Sequence, residues 1–200
     1  MRLSAREQGF LTRCGTKRLG RDVEWHDALE TTQARAKERI AEGAGEGTLV
    51  VASRQSGGYG RKGDPWHSPE GGLWASLVLK PAGPATEAAG LTVLFARSLR
   101  ECLLFDFCLP AVVKEPNDVL VEGKKIAGIL ADATSRAGEE RIESLVLGFG
   151  VNVANPLPDE LVSIAVSMAR FLREPPPPED VLARVLERFE ALYPAPRAVL

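Results

Sequence analysis

The sequence predicts an α+β protein, a mixed and mostly antiparallel sheet with helices packed on one face. Three observations predict it. Short β-branched, apolar runs recur at 48–53 (TLVVAS), 73–81 (LWASLVLKP) and 142–153 (IESLVLGFGVNV). Other segments space their apolar residues as a helix does, most clearly TEAAGLTVLFARSLRECLLFDF at 86–107. Residues 111–153 alternate strand patterns with turn signals, which a meander of three antiparallel strands satisfies most economically.

Taken in order, VEWHDALE (23–30) reads as a strand. TTQARAKERIAEG (31–43) reads as a helix: Thr31 or Thr32 caps it, good helix formers fill it and Gly43 ends it. A buried strand at 48–53 leads into a glycine-rich loop, RQSGGYGRKGDPWHS (54–68), and a strand at 73–81 that Pro81 stops. After the central helix, 111–134 reads as two strands joined at EGKK, where Gly123 supplies the turn geometry. SRAGEER (135–141) is the next turn, before the strand at 142–153. DELVSIAVSMARFL (159–172) and PEDVLARVLERFEALY (178–193) read as helices on either side of a proline run.

Composition narrows the class. At 200 residues, 44% hydrophobic and 26% charged, the chain suits one globular domain with a full core, or one plus a small appendage. The formal charge of -2 gives no bulk basic field to attract nucleic acid. Three cysteines match no metal spacing, and Cys102 and Cys108, in an apolar run, read as buried thiols suited to a reducing cytoplasm. The N-terminus has no signal-peptide core, and no apolar run approaches the about 20 residues that span a bilayer. With only His26 and His67 and no Cys/His cluster, no protein-bound zinc is expected. No G-x-S-x-G elbow, Walker loop or dinucleotide fingerprint occurs.

Four constellations can carry chemistry. The loop's glycines at 57, 58, 60 and 63 allow close backbone approach, Arg61 and Lys62 add charge, and Trp66 needs something to cover. Read alone, it is a mobile surface loop or an anion cradle. KEPNDVLVEGKKIAGIL (114–130) clusters Lys114, Lys124 and Lys125 with Asn117 and Asp118, and places Gly128 in an apolar strand where a ligand or another backbone comes close. Strict alternation points Lys125 to the face shared by Ala127 and Ile129, opposite Ile126. Solvated edge lysines are the plain alternative. In GFGVNVANP, Gly148, Gly150 and Asn152 share one strand face, either for tight helix packing or as a flat wall for a ring. In ETTQ, Thr31, Thr32 and Gln33 open a helix whose free N–H groups need simple caps or a polar ligand.

In this order, these segments resemble the catalytic domain of biotin protein ligases over about residues 22 to 172. GYGRKGDPW (58–66) is similar to the family's adenylate loop, G-x-G-R-x-G-x-x-W, and SPEGGLWASLVLKP to the strand after it. KEPNDVLVEGKKIAGIL resembles K-W-P-N-D…K-x-x-G-I-L, the most specific of these motifs; GFGVNV resembles G-[IF]-G-[IV]-N, and ETTQ the S-T-N that opens the first helix. The resemblance implies the sheet architecture shared with class II aminoacyl-tRNA synthetases, and two half-reactions. The carboxylate of biotin attacks the α-phosphate of ATP, with Mg²⁺, to give biotinyl-5′-AMP and pyrophosphate. A lysine of a biotin carboxyl carrier domain then takes the biotinyl group and AMP leaves. By position, Lys125 is implied as the cation at the carboxylate and α-phosphate, and Arg61 as the loop's phosphate ligand. Thr31, Thr32, Gln33, Gln55, Gly57, Gly58 and Gly128 fall on the biotin side. Trp66, Lys114, Asn117, Asp118, Gly150 and Asn152 fall on the ATP or adenylate side. Asp118 is the one candidate to touch Mg²⁺, since no protein cluster would hold a metal.

The sequence also departs from the family pattern. Tyr59 and Asp64 stand where the loop usually carries arginines, Glu115 replaces the tryptophan of K-W-P-N-D, and Gln33 replaces asparagine. These changes imply weak ATP binding. The expected organisation is a catalytic domain over 1–174 and a proline-linked helix over 175–200, without the family's C-terminal β-barrel or an N-terminal helix-turn-helix. No DNA or membrane partner is expected, and an edge-strand homodimer is the oligomer implied by analogy. The competing readings are a lipoate or octanoate attachment enzyme of the same fold and a catalytically impaired biotin-binding homologue.

Overall fold

The structure is a computed structural model that describes residues 3–81, 84, 88–135 and 142–194. Its frame is a seven-stranded sheet: β1 (Val23–Leu29), β2 (Leu49–Gln55), β3 (Leu73–Leu79), β4 (Ala111–Lys114), β5 (Asp118–Val121), β6 (Lys124–Ser135) and β7 (Ile142–Val151), in the order β1-β2-β3-β7-β6-β5-β4. β1 runs parallel to β2 and every other neighbouring pair is antiparallel. The mixed, mostly antiparallel sheet is therefore as the sequence predicts. Residues 111–134 form three strands rather than two, because Pro116 and Asn117 end β4 and start a new hairpin; with β7 the meander has four strands. Of the turn expected at 135–141, residues 136–141 lie outside the described residues.

Among the described residues, four α-helices cover the sheet: α1 (Ala5–Arg13), α2 (Thr32–Ala41), α3 (Ala88–Glu101) and α4 (Pro178–Leu192). They fall on both faces rather than one. Alternation along β2 explains this: Leu49 and Val51 join the larger core with α1, α3 and α4, while Val50 turns to α2 and packs with Ala36, Val78 and Val146. Phe95 of α3 joins the two halves of the larger core, with its ring 4.5 Å from Phe149 of β7 and 5.1 Å from Phe189 of α4. α4, beyond the proline run, is thus built into the same core. α1 was not anticipated from the sequence, although Ser4 and Glu7 form a full capping box at its start.

Residues 159–172 are not an α-helix. Their apolar residues make no buried stripe, since Val162 and Ile164 are exposed, and their backbone is used elsewhere. Lys125 N–H donates to Ile164 O at 2.8 Å, Val166 N–H donates to Lys125 O at 3.0 Å, and Met168 N–H to Asn152 O at 3.0 Å. The segment extends β6 beyond the end of β7, and only Met168–Arg170 makes a 3₁₀ turn. Cys102 is buried, but Cys108 is exposed, since it lies past the end of α3 in a left-handed turn at φ 55. No described helix is long and apolar enough to cross a membrane.

The 17–19 turn is tied to α4 by one carboxylate. Glu190 accepts backbone N–H bonds from Lys17, Arg18 and Leu19 at 2.7, 2.8 and 2.8 Å. Burial pushes its pKa up, but these donors outweigh burial and hold it below the ordinary 4.5. A depressed folded-state pKa stabilises above the unfolded value, and the gain is lost as pH falls through the folded one. Glu190→Gln is therefore expected to cost about 1–2 kcal/mol at neutral pH, a figure discounted for solvent access. Urea denaturation at neutral pH and at about pH 3 checks this: the gap between the two proteins should narrow in acid.

Candidate active site

The site lies on the α2 face of the sheet, where the strand register builds two rows. Trp74, Gly150, Gly128, Asp118 and Lys114 are successive cross-strand partners, and Val50, Ser76, Gly148 and Leu130 form the row beside them. The glycines in these rows leave a low floor. A cavity of about 700 Å³ opens above it, lined by residues of α2, the 59–67 loop, β3, β5, β6, β7 and the 157–165 segment.

Lys125 reaches this floor because of a β-bulge. Along β5, Val119 and Leu120 are consecutive, yet they pair with Ala127 and Lys125 of β6 and skip Ile126. Ile126 is the extra residue and turns into the core with Ala127 and Ile129. Strict alternation places Lys125 with Ala127 and Ile129; the bulge resets the phase and turns it to the Gly128 side instead. Its ammonium is 2.7 Å from Asp118 Oδ1 and 4.9 Å from the centre of the Trp66 ring.

The glycine-rich loop folds down as a small hairpin. Tyr59 bridges Pro65, Gly60 N–H donates to Asp64 O at 2.7 Å, and Trp66 N–H donates to Gly58 O at 2.8 Å. At its tip Lys62 and Gly63 have φ of 62 and 79, the region that favours glycine. Arg61 donates to Asn117 Oδ1 at 3.3 Å, and Asn117 Nδ2 in turn donates to Ile129 O at 3.1 Å, so the loop is pinned to the start of β5. The Trp66 indole lies on the glycine floor: a Cβ on Gly150 would sit 2.5 Å from Nε1, and one on Gly128 3.1 Å from Cζ3. Nε1 is buried with no hydrogen-bond partner among the described residues.

The opposite end of the cavity is polar. Gln55 Oε1 accepts from Thr32 N–H at 2.7 Å and lies 3.1 Å from Thr32 Oγ1, whose one proton is shared between it and Ser76, and Gln55 Nε2 donates to Ser68 Oγ at 3.0 Å. Ser76 Oγ lies 2.9 Å from Thr32 Oγ1 and donates to Gln33 Oε1 at 2.9 Å. Gln33 Nε2 donates to Val146 O at 3.1 Å. Asn152, buried, accepts from Asn155 Nδ2 at 3.1 Å through Oδ1.

Of the residues singled out from the sequence, the fold gathers Thr32, Gln33, Gln55, Arg61, Trp66, Lys114, Asn117, Asp118, Lys125, Gly128, Gly150 and Asn152 around this one cavity. Three stand behind it. Thr31 caps α2 by accepting from Gln33 and Ala34 N–H; Gly57 N–H donates to Glu30 O at 2.9 Å; and Gly58 is pressed against Ser68, Trp66 and Gln55 at the root of the loop. Glu115 does not face the cavity, because its carboxylate turns to Arg97 of α3 at 3.8 Å. Tyr59 and Asp64 do line it. Sequence reading missed Ser76 and the rim residues Leu157, Leu161 and Ile164. Alternation in LWASLVL, which puts Ser76 on the face of Trp74, was the signal for the first; nothing local signalled the rim.

A cavity with cations at one end, an uncharged polar wall at the other and a flat floor between them is built for a small molecule that carries an anion. Residues 25–152 match the biotin/lipoate A/B protein ligase family, and the chain belongs to that family. It is 38% identical over 182 residues to the bifunctional ligase/repressor BirA of Bacillus subtilis, covering 89% of this chain and 55% of that protein. It is 37% identical over 128 residues to the biotin–[acetyl-CoA-carboxylase] ligase of Paracoccus denitrificans, covering 62% of this chain and 52% of that protein. Among solved structures, the biotin protein ligase from Aquifex aeolicus in complex with biotin and ATP superposes with a TM-score of 0.74 at 31% identity, covering 86% of this chain and 69% of that one. The chain thus spans about half the length of these sequence relatives.

The glycine floor gives a direct expectation. Gly150→Ala would drive a methyl into the indole, so Trp66 must lift, at a cost of about 1–3 kcal/mol. Tryptophan emission should shift to the red, and the shift should vanish when Trp66→Phe is combined with Gly150→Ala.

Proposed function

We propose that this chain is an ATP-dependent biotin protein ligase. In this reading it forms biotinyl-5′-AMP and passes the biotinyl group to a lysine of a biotin carboxyl carrier domain. The observation that carries the reading is the position of Lys125, which lines one cavity with the polar wall of Thr32 and Gln55 and with the cations Arg61 and Lys114. The bicyclic head of biotin binds at the polar wall, with Thr32 and Gln55 toward its ureido group. The valeryl tail runs over the Trp66 indole, which itself covers Gly128 and Gly150, and its carboxylate ends beside Lys125.

Two anions must then meet. A carboxylate oxygen attacks the α-phosphorus of ATP, the bond to the β-phosphate oxygen breaks and pyrophosphate leaves. Lys125 and Arg61 neutralise the charge gathered there, which is the main catalytic demand of phosphoryl chemistry. Asp118 holds Lys125 between turnovers and stands where it could share Mg²⁺ with the ATP phosphates; no group of three metal-ligating residues exists among the described residues, so the ion would arrive with the nucleotide. Asn117, Gly150 and Asn152 belong to the adenylate side. In the second half-reaction a lysine amine of the carrier attacks the acyl carbon and AMP leaves.

Asp64 and Tyr59 on the cavity wall favour a second reading, a homologue with weak ATP binding. Glu115 no longer supports it, since it faces α3. Binding of a repressor's DNA target, suggested by the name of the Bacillus relative, has no support in the bulk charge of -2.

Incubation with biotin, ATP, Mg²⁺ and a carrier domain tests the reading. The carrier should gain one biotinyl mass, and Lys125→Ala should slow adenylate formation by about 10²–10³-fold. No mass gain under any condition refutes it. Asp64→Arg should lower the KM for ATP by about threefold to tenfold while leaving the KM for biotin unchanged; a KM for ATP unmoved by this change contradicts the role given to Asp64.

A further inference from the structure

The polar wall contains one residue, Ser76, that the sequence reading does not single out. Ser76 is fully buried on β3, and its hydroxyl joins the Thr32 hydroxyl to the Gln33 amide, both at 2.9 Å. Gln33 can reach it only because Gly148 has no side chain, since a Cβ there would run into Gln33 Oε1. Thr32 and Gln33 are themselves each only 4% exposed, so water is a poor substitute for a missing partner at this end.

Counting donors shows what the wall can offer. Each glutamine amide has two N–H groups. Gln33 spends one on Val146 O and Gln55 spends one on Ser68 Oγ, which leaves one on each with no acceptor among the described residues. Hydroxyl lone pairs of Thr32 and Ser76 add acceptors. A ligand terminus that both donates and accepts, as a cyclic urea does, can complete this set. A hydrocarbon or dithiolane terminus would bury the same groups without partners.

We propose that Ser76 is a positioning residue that sets selectivity for a urea-bearing head group over an apolar acyl terminus, by fixing Thr32 and Gln33 in one network. This rests on the ligase reading, and extends it to the choice of acid. Sites built to hydrogen-bond a ligand reject analogues that lack the partner far better than apolar pockets separate two chains of similar size.

Titration calorimetry on the whole chain tests it, with biotin and with octanoate, on the wild type, Ser76→Ala and Ser76→Cys, alongside the KM for ATP. Ser76→Ala should weaken biotin by about tenfold or more and leave octanoate and the KM for ATP unchanged. Ser76→Cys, close in size and a weaker donor, should fall between, and carries the same comparison if the alanine variant does not fold. Equal losses for biotin and octanoate would mean a merely structural role and overturn the proposal, as would unchanged biotin affinity. A wild type that binds octanoate and not biotin overturns both this proposal and the ligase reading, and is recognised before any variant is made.

Discussion

One extra residue in β6 decides where the chemistry can be. Without the bulge at Ile126, the lysine beside it would point into a core of Val119, Ala127 and Phe149, where an ammonium has no partner and no water. With it, the apolar side chain goes to the core and the cation goes to the cavity. The bulge is stabilised from both sides: Ile126 O accepts Asn152 N–H at 2.8 Å, and the 164–166 segment bonds the Lys125 backbone where β7 has ended. The irregular 159–172 stretch is therefore a working part of the sheet, and it also brings Leu161 and Ile164 to the cavity rim.

The two faces of the sheet divide the labour. The face of α1, α3 and α4 is continuous and apolar, with Phe95 interlocked between Phe149 and Phe189. This gives the sheet the rigidity that a precise site requires. On the α2 face the apolar cluster is small and is centred on Val50, Val78 and Val146. Beyond them it gives way to glycines and polar groups, and the free space above those glycines is filled by one indole and the cavity.

Much of this was legible in the sequence. The helices at 31–43, 86–107 and 178–193, and the strands apart from the division of 111–134, follow from periodicity and turn signals, and the resemblance to the ligase family points to twelve positions that line the cavity. The failures have physical reasons. Lys125 was given the wrong face because alternation holds only in an unbroken ladder, and the bulge is written in the partner strand as much as in β6. The 159–172 helix fails because main-chain bonds to Lys125 of β6 and to Asn152 and Val153 just past β7 outweigh a local helical pattern. Glu115 looks harmful beside a polyanion in the sequence, but its carboxylate lies 3.8 Å from Arg97 of α3, away from the cavity. Ser76 was hidden because a lone serine among apolar residues in a strand looks like tolerated polarity until α2 is placed against it.

The central claim is that the bulge delivers Lys125 to the point where two anions meet. A crystal structure of the chain with biotin and a non-hydrolysable ATP analogue addresses it most directly. The account predicts that the Lys125 ammonium leaves Asp118 and lies within hydrogen-bond distance of both the biotin carboxylate and the α-phosphate, with Ile126 still in the core. A map in which Lys125 stays on Asp118 while both anions bind elsewhere would contradict it.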